Sequence, residues 1–327
     1  MLLFFGGNIM NSGILLQHMI NGSSLGSLYA LIAIGYTMVY GILLLINFAH
    51  GDIFMMAGYF MIFSMINFNL PVYLSIPIVI IFTVLLGILL EKTAYKPLRD
   101  SPKMSVMISA IGASYLLENL ATYLFTGVPK AYPDISWLTA TISLGKNLTI
   151  NGRYITSLEW LPESLEGISF STVTIITPFI TILLLIGLIY LINNTKTGMA
   201  MRAVSKDYET ARLMGIKINW VIAATFAIGS FLAAIGSILW GSKYPSIYPL
   251  VGVMPGLKCF IAAVLGGIGN VRGAVLGGLI IGFSETLLVA FFPSMTGYRD
   301  AFAFVILIIM LIIKPTGLFG EKIIDKV

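Results

Sequence analysis

Long apolar runs separated by short polar segments fill most of the chain. A membrane-spanning helix needs roughly 20 apolar residues, with about 17–25 tolerated. Eight runs approach or reach that length, and each predicts a transmembrane helix: residues 25–46, 53–65, 72–90, 104–125, 173–192, 220–240, 273–292 and 301–313. The run 255–268 is too short to cross comfortably and predicts a discontinuous helix whose ends are covered by protein or water.

This pattern indicates an all-α, polytopic integral membrane protein with about 8–10 transmembrane helices. All of them belong to a single transmembrane domain that covers residues 1–327. Hydrophobic residues make up 58% of the chain and charged residues only 10%, whereas soluble domains carry about 25% charged residues. Cys259 is the only cysteine, which excludes a disulfide or a paired-cysteine metal site within the chain. Residues 1–21 lack Lys and Arg, which argues against a cleaved signal peptide.

The placement of basic residues indicates which loops face the cytosol. The net charge of +5 does not point to nucleic acid, because basic residues of membrane chains usually mark cytoplasmic loops. Most of them lie in segments 91–103, 195–217 and 314–327, with Arg272 in a short turn. The helix count puts these segments on one side if the run 255–268 crosses, so we predict that all of them are cytoplasmic.

The longest polar segment, residues 126–171, falls on the opposite side and predicts an external loop. Within it, Asn151-Gly152 stands between two alternating stretches, which predicts a small hairpin. Two interpretations of this loop stay open: a passive connector, or a docking surface for an external substrate-binding protein.

Residues 195–217, TKTGMAMRAVSKDYETARLMGIK, form a basic interruption between two hydrophobic spans. Apolar residues recur at helical spacing on one face, and the other face carries Arg202, Lys206, Glu209 and Arg212. Ser205 or Asp207 is placed to cap a short helix, and Gly215 is the residue type expected just past a helix end. The segment therefore predicts a short amphipathic cytosolic helix, the alternative being a solvated loop with basic flanks.

The same segment carries a family resemblance. Glu209-Thr210-Ala211, three residues and then Gly215 resemble the E-A-A-x-x-x-G loop of ABC-importer permeases, with Thr210 in place of the middle alanine. The surrounding string RAVSKDYETARLMGI is similar to the permeases for branched-chain amino acids. In that family this loop is the coupling helix that docks into the ATP-hydrolysing subunit. The resemblance implies a coupling role for Glu209, Thr210, Ala211, Gly215, Arg202 and Arg212.

Two more segments resemble the same family. Residues 24–59, SLGSLYALIAIGYTMVYGILLLINFAHGDIFMMAGY, are similar to its N-terminal signature, in which the NFAHG element sits near the translocation route. This implies path roles for Asn47, His50, Gly51 and Asp52; on chemistry alone, an interfacial cytoplasmic turn is the alternative. Residues 265–282, LGGIGNVRGAVLGGLIIG, resemble the C-terminal signature and lack the phosphate-loop pattern. Their small residues favour close packing of transmembrane helices.

Glu118 and Glu285 are acidic residues near the middle of predicted spans, and we take both as candidate path residues. A carboxylate at bilayer depth is costly unless it is paired, hydrated or protonated. Their own spans contain no Lys or Arg, so we expect hydrogen bonds from neighbours such as Asn119, Ser284 or Thr286. We expect both carboxylates to serve packing or path hydration rather than proton transfer.

The resemblance implies the transmembrane subunit of an ATP-driven ABC importer for leucine, isoleucine and valine in a bacterial cytoplasmic (inner) membrane. It also implies four partners: a second homologous permease forming a heterodimer, two cytoplasmic ATPase subunits and an extracytoplasmic substrate-binding protein. No cofactor is expected in this chain, because ATP and Mg would be bound by the ATPase subunits, and no nucleic-acid partner is expected.

Three alternatives stay open beside this interpretation. A related ABC permease would carry urea, short amides or other amino acids. An ion-coupled secondary transporter would use intramembrane carboxylates such as Glu118 and Glu285. A membrane enzyme is disfavoured, because the chain has neither H-E-x-x-H nor G-x-S-x-G and its histidines, His18 and His50, lie far apart.

Overall fold

The computed structural model describes residues 3–5, 8–10, 12–99, 101–144, 147–157 and 167–320. Seven helices in these ranges are long and apolar enough to cross a membrane. They are α1 (Ser12–Leu43), α3 (Val72–Leu90), α4 (Lys103–Phe125), α6 (Thr172–Asn194), α9 (Ile218–Lys243), α11 (Val271–Phe291) and α12 (Arg299–Ile313). A π-helical turn and a 3-10 turn extend α3, and a 3-10 turn, Pro293–Tyr298, precedes α12.

The remaining helices of the described ranges are shorter. Two of them are apolar, α2 (His50–Ile62), which a π-helical turn continues to Asn67, and α10 (Val253–Gly266). With the seven long helices they make nine, which confirms the predicted helix number and the short helix near 255–268. The others lie outside the predicted spans: α5 (Ser136–Thr139), α7 (Lys196–Lys206) and α8 (Tyr208–Leu213).

The first helix differs most from its prediction. The hydropathy of the sequence predicts a span that starts at residue 25, whereas α1 starts at Ser12 and is 32 residues long. Before it, β1 (Leu3–Phe5) and β2 (Asn8–Met10) pair as an antiparallel hairpin. The polar side chains in the first turns of α1 lower the hydropathy there without breaking the helix.

α1 is the centre of the helix bundle and packs against α6, α9, α10 and α11. Its contact with α11 depends on glycine, because a Cβ at Gly278 would overlap the backbone of Ala30. The same holds at Gly282, which lies against the backbone of Gly26. Close approach at such small residues gives the van der Waals contact that holds membrane helices together. The predicted packing role of segment 265–282 is thereby confirmed.

Helices α3, α4, α6 and α12 surround this centre and leave large apolar side chains exposed on their outer faces. Leu85 of α3, Leu116 of α4 and Phe179 of α6 are examples. In a membrane, such faces contact lipid tails or another hydrophobic chain. The chain is therefore a multi-pass membrane protein whose outer helices remain available for both.

Contacts between loops group the predicted cytoplasmic segments at one end of the bundle. The Arg99 guanidinium donates to Asn219 Oδ1 over 2.6 Å, and the Tyr208 hydroxyl donates to the Ile42 carbonyl over 2.8 Å. Residues 318 and 319 donate backbone hydrogen bonds to Leu265 and Gly266, beside the turn that holds Arg272. Lys322 and Lys326 of the predicted tail lie outside the described residues.

The opposite end carries a small β-structure. The strands β4 (Thr141–Leu144), β5 (Asn147–Ile150), β6 (Arg153–Ser157) and β7 (Ile168–Ser171) form one antiparallel sheet in the order β6-β5-β4-β7. Asn151 and Gly152 join β5 to β6 with φ angles of 48° and 74°, as a type I′ turn requires, so the predicted hairpin is confirmed. The charged residues Lys146, Glu159, Glu163 and Glu166 lie outside the described residues.

A second strand pair connects this loop to the helix bundle. β3 (Lys130–Ala131) pairs antiparallel with β8 (Ser246–Ile247), which lies between α9 and α10. The Tyr132 backbone amide extends the pair by donating to the Pro245 carbonyl. Through these bonds, the loop after α4 holds the segment that leads into α10.

Candidate functional site

Two helices begin inside the bundle, and their first turns meet. α2 begins at His50 and α10 at Val253. The two starts touch through glycines, because a Cβ at Gly51 would lie 2.6 Å from the Gly252 carbonyl oxygen. The His50 ring packs edge-on against Tyr36 of α1, with centroids 4.6 Å apart. The segment around residue 50 is therefore buried among helices and is not an interfacial turn.

A cavity of about 160 Å³ opens beside this meeting point. Its polar side chains are Asp52 of α2 and Ser114 and Glu118 of α4, together with the tyrosines at positions 36 and 115. The backbone of Gly51, Gly252 and Gly256 lines another part. Apolar side chains form the rest of the wall: Ile46, Phe48, Ile111, Val253, Leu257 and Phe260.

The cavity unites three of the predicted path residues, Gly51, Asp52 and Glu118. The Ser114 hydroxyl donates to Asp52 Oδ2 over 2.5 Å, although Asp52 is only 2% exposed. Glu118 follows Ser114 by one helical turn, so both side chains lie on the same face of α4. The helix α4 thus brings a second carboxylate to the cavity that contains Asp52.

Two other predicted path residues lie outside the cavity lining. Asn47 Oδ1 accepts a hydrogen bond of 2.8 Å from the Tyr95 hydroxyl. His50 is buried against α1, where a Cβ at Gly35 would overlap its ring. Both residues hold the segment between α1 and α2 in place, and neither lines the cavity.

Glu285 lies in a separate buried network. Lys258 of α10 forms ion pairs with Glu285 at 2.9 Å and with Asp300 of α12 at 2.7 Å. The Tyr29 hydroxyl donates to Glu285 Oε2 over 3.2 Å. This network joins α1, α10, α11 and α12 inside the bundle.

The expected hydrogen-bond neighbours of the two glutamates are wrong. Asn119, Ser284 and Thr286 each donate to a backbone carbonyl one turn earlier in their own helices. The partner of Glu285 is Lys258, which comes from a different segment. The sequence contained the signal, a lysine in the apolar run 255–268, but a search for basic residues within the same span could not find it.

The predicted cytosolic helix consists of two helices that meet at Asp207. Asp207 Oδ1 accepts hydrogen bonds from the backbone amides of Glu209 (2.9 Å) and Thr210 (3.2 Å), so Asp207 caps α8. Gly215 follows α8 with a φ of 81°, the left-handed conformation that ends many helices. Of the two candidate caps, Asp207 is therefore correct, whereas Ser205 donates to the Arg202 carbonyl.

These two helices have a buried and an exposed face. Met201, Val204 and Ala211 are buried, whereas Glu209, Thr210 and Arg212 are exposed. The Tyr208 hydroxyl holds α8 to the end of α1, and burial raises the pKa of this phenol, so it stays a donor at neutral pH. Arg202 donates to the Ile192 carbonyl and to Asn193 at the end of α6.

The exposed tip of α8 is apolar. Leu213 is 87% exposed and Met214 is 77% exposed. Two large apolar side chains at an exposed helix end are typical of a contact with another protein. A search for a charged face of the helix does not find this pair in the sequence.

Comparison with known proteins gives concordant matches over nearly the whole chain. The model of a family described as branched-chain amino acid transport system / permease component matches residues 18–311. A relative from Pseudomonas aeruginosa, the high-affinity branched-chain amino acid transport system permease protein BraD, is 37% identical over 95% of this chain and 98% of its own length. The corresponding LivH protein of Escherichia coli K12 is 38% identical over 95% of this chain and 97% of its own length.

Among solved structures, PsaBC from Streptococcus pneumoniae in complex with Fab aligns with 94% of this chain and 92% of its own. The TM-score is 0.42 and the sequence identity 14%, a level of similarity that supports no further argument.

Proposed function

The chain belongs to the family of permease components of branched-chain amino acid transport systems, and from this membership we propose that it is the transmembrane subunit of an ATP-driven importer for leucine, isoleucine and valine. The observation that carries the proposal is the match to permeases of this kind across 95% of the chain. It is a multi-pass protein of the cytoplasmic membrane, with seven long apolar helices in its described part.

We propose four partner subunits in the assembled importer. A second, homologous permease covers part of the exposed apolar faces of the outer helices. Two ATPase subunits on the cytosolic side bind ATP and Mg, because the sequence of this chain has no phosphate loop of its own. An extracytoplasmic binding protein docks on the loop that contains the sheet β6-β5-β4-β7 and delivers the amino acid.

The contacts of α8 support its role as the coupling helix. An ATPase subunit would contact the apolar tip formed by Leu213 and Met214, together with the charged Glu209 beside it. Movement of α8 reaches the end of α1 through the hydrogen bond from Tyr208 to Ile42. The chain that follows α1 leads within a few residues to Gly51 and the cavity. ATP binding would in this way change the access of the cavity from one side of the membrane to the other.

The test is transport by the assembled complex in vesicles that contain ATP inside and the binding protein outside. We expect uptake of labelled leucine that needs both ATP and the binding protein and that vanadate stops. The permease alone, under a proton or sodium gradient without ATP, should show no uptake. Uptake by the isolated chain would favour a secondary transporter, and uptake of urea or a short amide instead of leucine would overturn the substrate.

A further inference from the structure

We propose that the cavity between α2, α4 and α10 is a transit site for a zwitterion. In it, the start of α10 receives the α-carboxylate of the amino acid, and Asp52 with Glu118 receives the α-ammonium group. The inference rests on the proposed function, because it assigns a binding site to the substrate of that importer.

The first support is the meeting of two uncapped helix starts. Neither the residue before α2, Ala49, nor the residue before α10, Gly252, caps its helix with a side chain. The start of a helix carries about half a positive charge. In the first turn of α10 the Val253 amide donates to the Leu250 carbonyl and Pro255 has no amide hydrogen, so the Met254 amide and the helix dipole remain to attract an anion. Broken helices whose starts point at an anionic substrate group are a general device of transporters.

The two helix starts differ in charge, which orients the ligand. α2 has Asp52 in its first turn, whereas α10 has no acidic residue there. The start of α10 is therefore the more positive of the two and suits a carboxylate. Gly51 and Gly252 pack directly on each other, so the acidic and the positive part of the site are adjacent. An α-amino acid has its two charged groups on one carbon atom, which fits this spacing.

The second support is that the two carboxylates of the cavity have no cationic partner among the described residues. Asp52 is buried, and its observed partner is the neutral hydroxyl of Ser114. Neither Asp52 nor Glu118 takes part in any of the ion pairs among the described residues, whereas Glu285 is paired with Lys258. An isolated buried carboxylate pays a desolvation cost that a cation offsets. The ammonium group of a passing amino acid supplies that cation.

The third support is the apolar wall. Ile111 from α4 and Leu257 and Phe260 from α10 line the cavity beside the charged groups. These side chains form no directional contacts, so they accept the aliphatic side chains of leucine, isoleucine and valine alike. The site thus recognises the charged groups common to all three, and the choice among amino acids falls to the binding protein.

A purely structural role for Asp52 is the competing explanation, because an acidic residue in the first turn stabilises a helix by itself. To separate the two, Asp52→Asn and Glu118→Gln are assembled into the full complex beside Asn119→Ala, which changes the next residue of α4 outside the cavity. We expect complex yields close to wild type for all three. Leucine uptake should fall about tenfold or more for Asp52→Asn, the effect of losing a charge-assisted hydrogen bond, and less for Glu118→Gln.

A labelling experiment tests the ligand directly and bypasses the binding protein. Ile111→Cys is introduced with Cys259→Ser, and a small thiol reagent labels the purified complex in the absence of the binding protein. We expect millimolar leucine to slow the labelling, whereas 4-methyl-2-oxopentanoate, which has the same carboxylate and side chain but no ammonium group, should not. Equal protection by both compounds, or none by leucine, would overturn the inference.

The uptake experiment distinguishes this inference from the proposed function. Leucine uptake by wild type together with undiminished uptake by Asp52→Asn would overturn the transit site alone. Absence of ATP-driven leucine uptake by the wild-type complex would overturn the proposed function itself. Loss of complex yield in Asp52→Asn, with leucine failing to protect Ile111→Cys, would assign Asp52 to helix stability and contradict the transit site.

Discussion

Lys258 is a charged side chain in a helix that otherwise consists of apolar and small residues, and it is 7% exposed. Taking an ion out of water costs several kcal/mol, and only well-placed partners recover that cost. Lys258 has two carboxylate partners, the buried Glu285 and the half-exposed Asp300. This cluster fixes α10 against α11 and α12, so the short helix that lines the cavity has a stable position.

Removal of one partner should therefore destabilise the protein. We expect Glu285→Leu to cost up to about 3 kcal/mol, below the roughly 3–5 kcal/mol of a fully uncompensated buried charge, because Asp300 still pairs with Lys258. The double variant Lys258→Met, Glu285→Leu should recover most of this loss, because both charges are absent. Asp300→Asn should have a smaller effect than Glu285→Leu, because Asp300 is exposed to solvent.

Thermal unfolding of the purified complex measures these effects. We expect the highest Tm for wild type, intermediate values for the double variant and Asp300→Asn, and the lowest Tm for Glu285→Leu. A double variant that is as unstable as Glu285→Leu would show that Lys258 is not the reason for the loss.

At the scale of elements, the pair α7 and α8 shows which features a local pattern determines. The cap and the end at Gly215 depend on residues within one helical turn, so the sequence alone predicts the end and limits the cap to Ser205 or Asp207. The sequence does not predict the interruption at Asp207, where the backbone is extended with a φ of −159°, because apolar residues recur at helical spacing on both sides of it. The hydrogen bonds from Arg202 to Ile192 and Asn193 depend on the end of α6, a different part of the chain.

The conformation of Gly215 leads to a prediction about coupling. Its φ of 81° suits glycine and, less well, asparagine, whereas a β-branched residue is strained there. We expect Gly215→Val to weaken association with the ATPase subunits and substrate-stimulated ATP hydrolysis by several-fold, because the tip with Leu213 and Met214 is displaced. Gly215→Asn is the matched control and should retain most of both.

Co-purification of the ATPase subunits with each variant, together with ATP hydrolysis in vesicles, checks this expectation. The variants should still insert in the membrane, because α8 lies outside the apolar spans. Full association and full stimulation by Gly215→Val would contradict the coupling assignment of α8.

For the whole molecule, the lipid environment makes the helices predictable from the sequence, but it does not determine which helices contact each other. Long apolar runs must form helices in a bilayer, because the backbone has no other partner there. The sequence therefore predicts the number of apolar helices and most of their bounds. It identifies Asp52 and Glu118 separately, but their common cavity depends on the packing of α2 against α4. The ion pair of Lys258 was missed for the same reason, since its partner lies in another helix.

The orientation predicted from the basic residues is open to a direct test. Asn151, in the predicted external hairpin, and Ser205, in α7, are both exposed. Each is replaced by cysteine in a separate variant that also carries Cys259→Ser. An impermeant thiol reagent should label Asn151→Cys in intact cells and Ser205→Cys only after the membrane is opened. Labelling of Ser205→Cys from outside would reverse the topology.

The length of α1 determines how far the external sheet stands above the lipid. At about 1.5 Å per residue, its 32 residues extend about 48 Å, whereas the hydrocarbon layer is about 30 Å thick. Lys243 donates to Ser24 over 2.8 Å at the end of α9 that is predicted to be external. The roughly 20 residues from Ser24 to the other end of α1 are enough to cross the hydrocarbon layer.

The turns before Ser24 then project about 18 Å outward, and Gln17 among them donates to the backbone carbonyl of Ser169 in β7. Gln17 itself lies about 10 Å from Ser24, and headgroups add about 5–8 Å on each face, so this contact lies only about 3–5 Å beyond the headgroups. That distance is within one Debye length of about 8–10 Å, so the charge of the lipids is only partly screened there. A change from neutral to anionic lipids should therefore alter docking on this surface, and the effect should shrink as the salt concentration is raised.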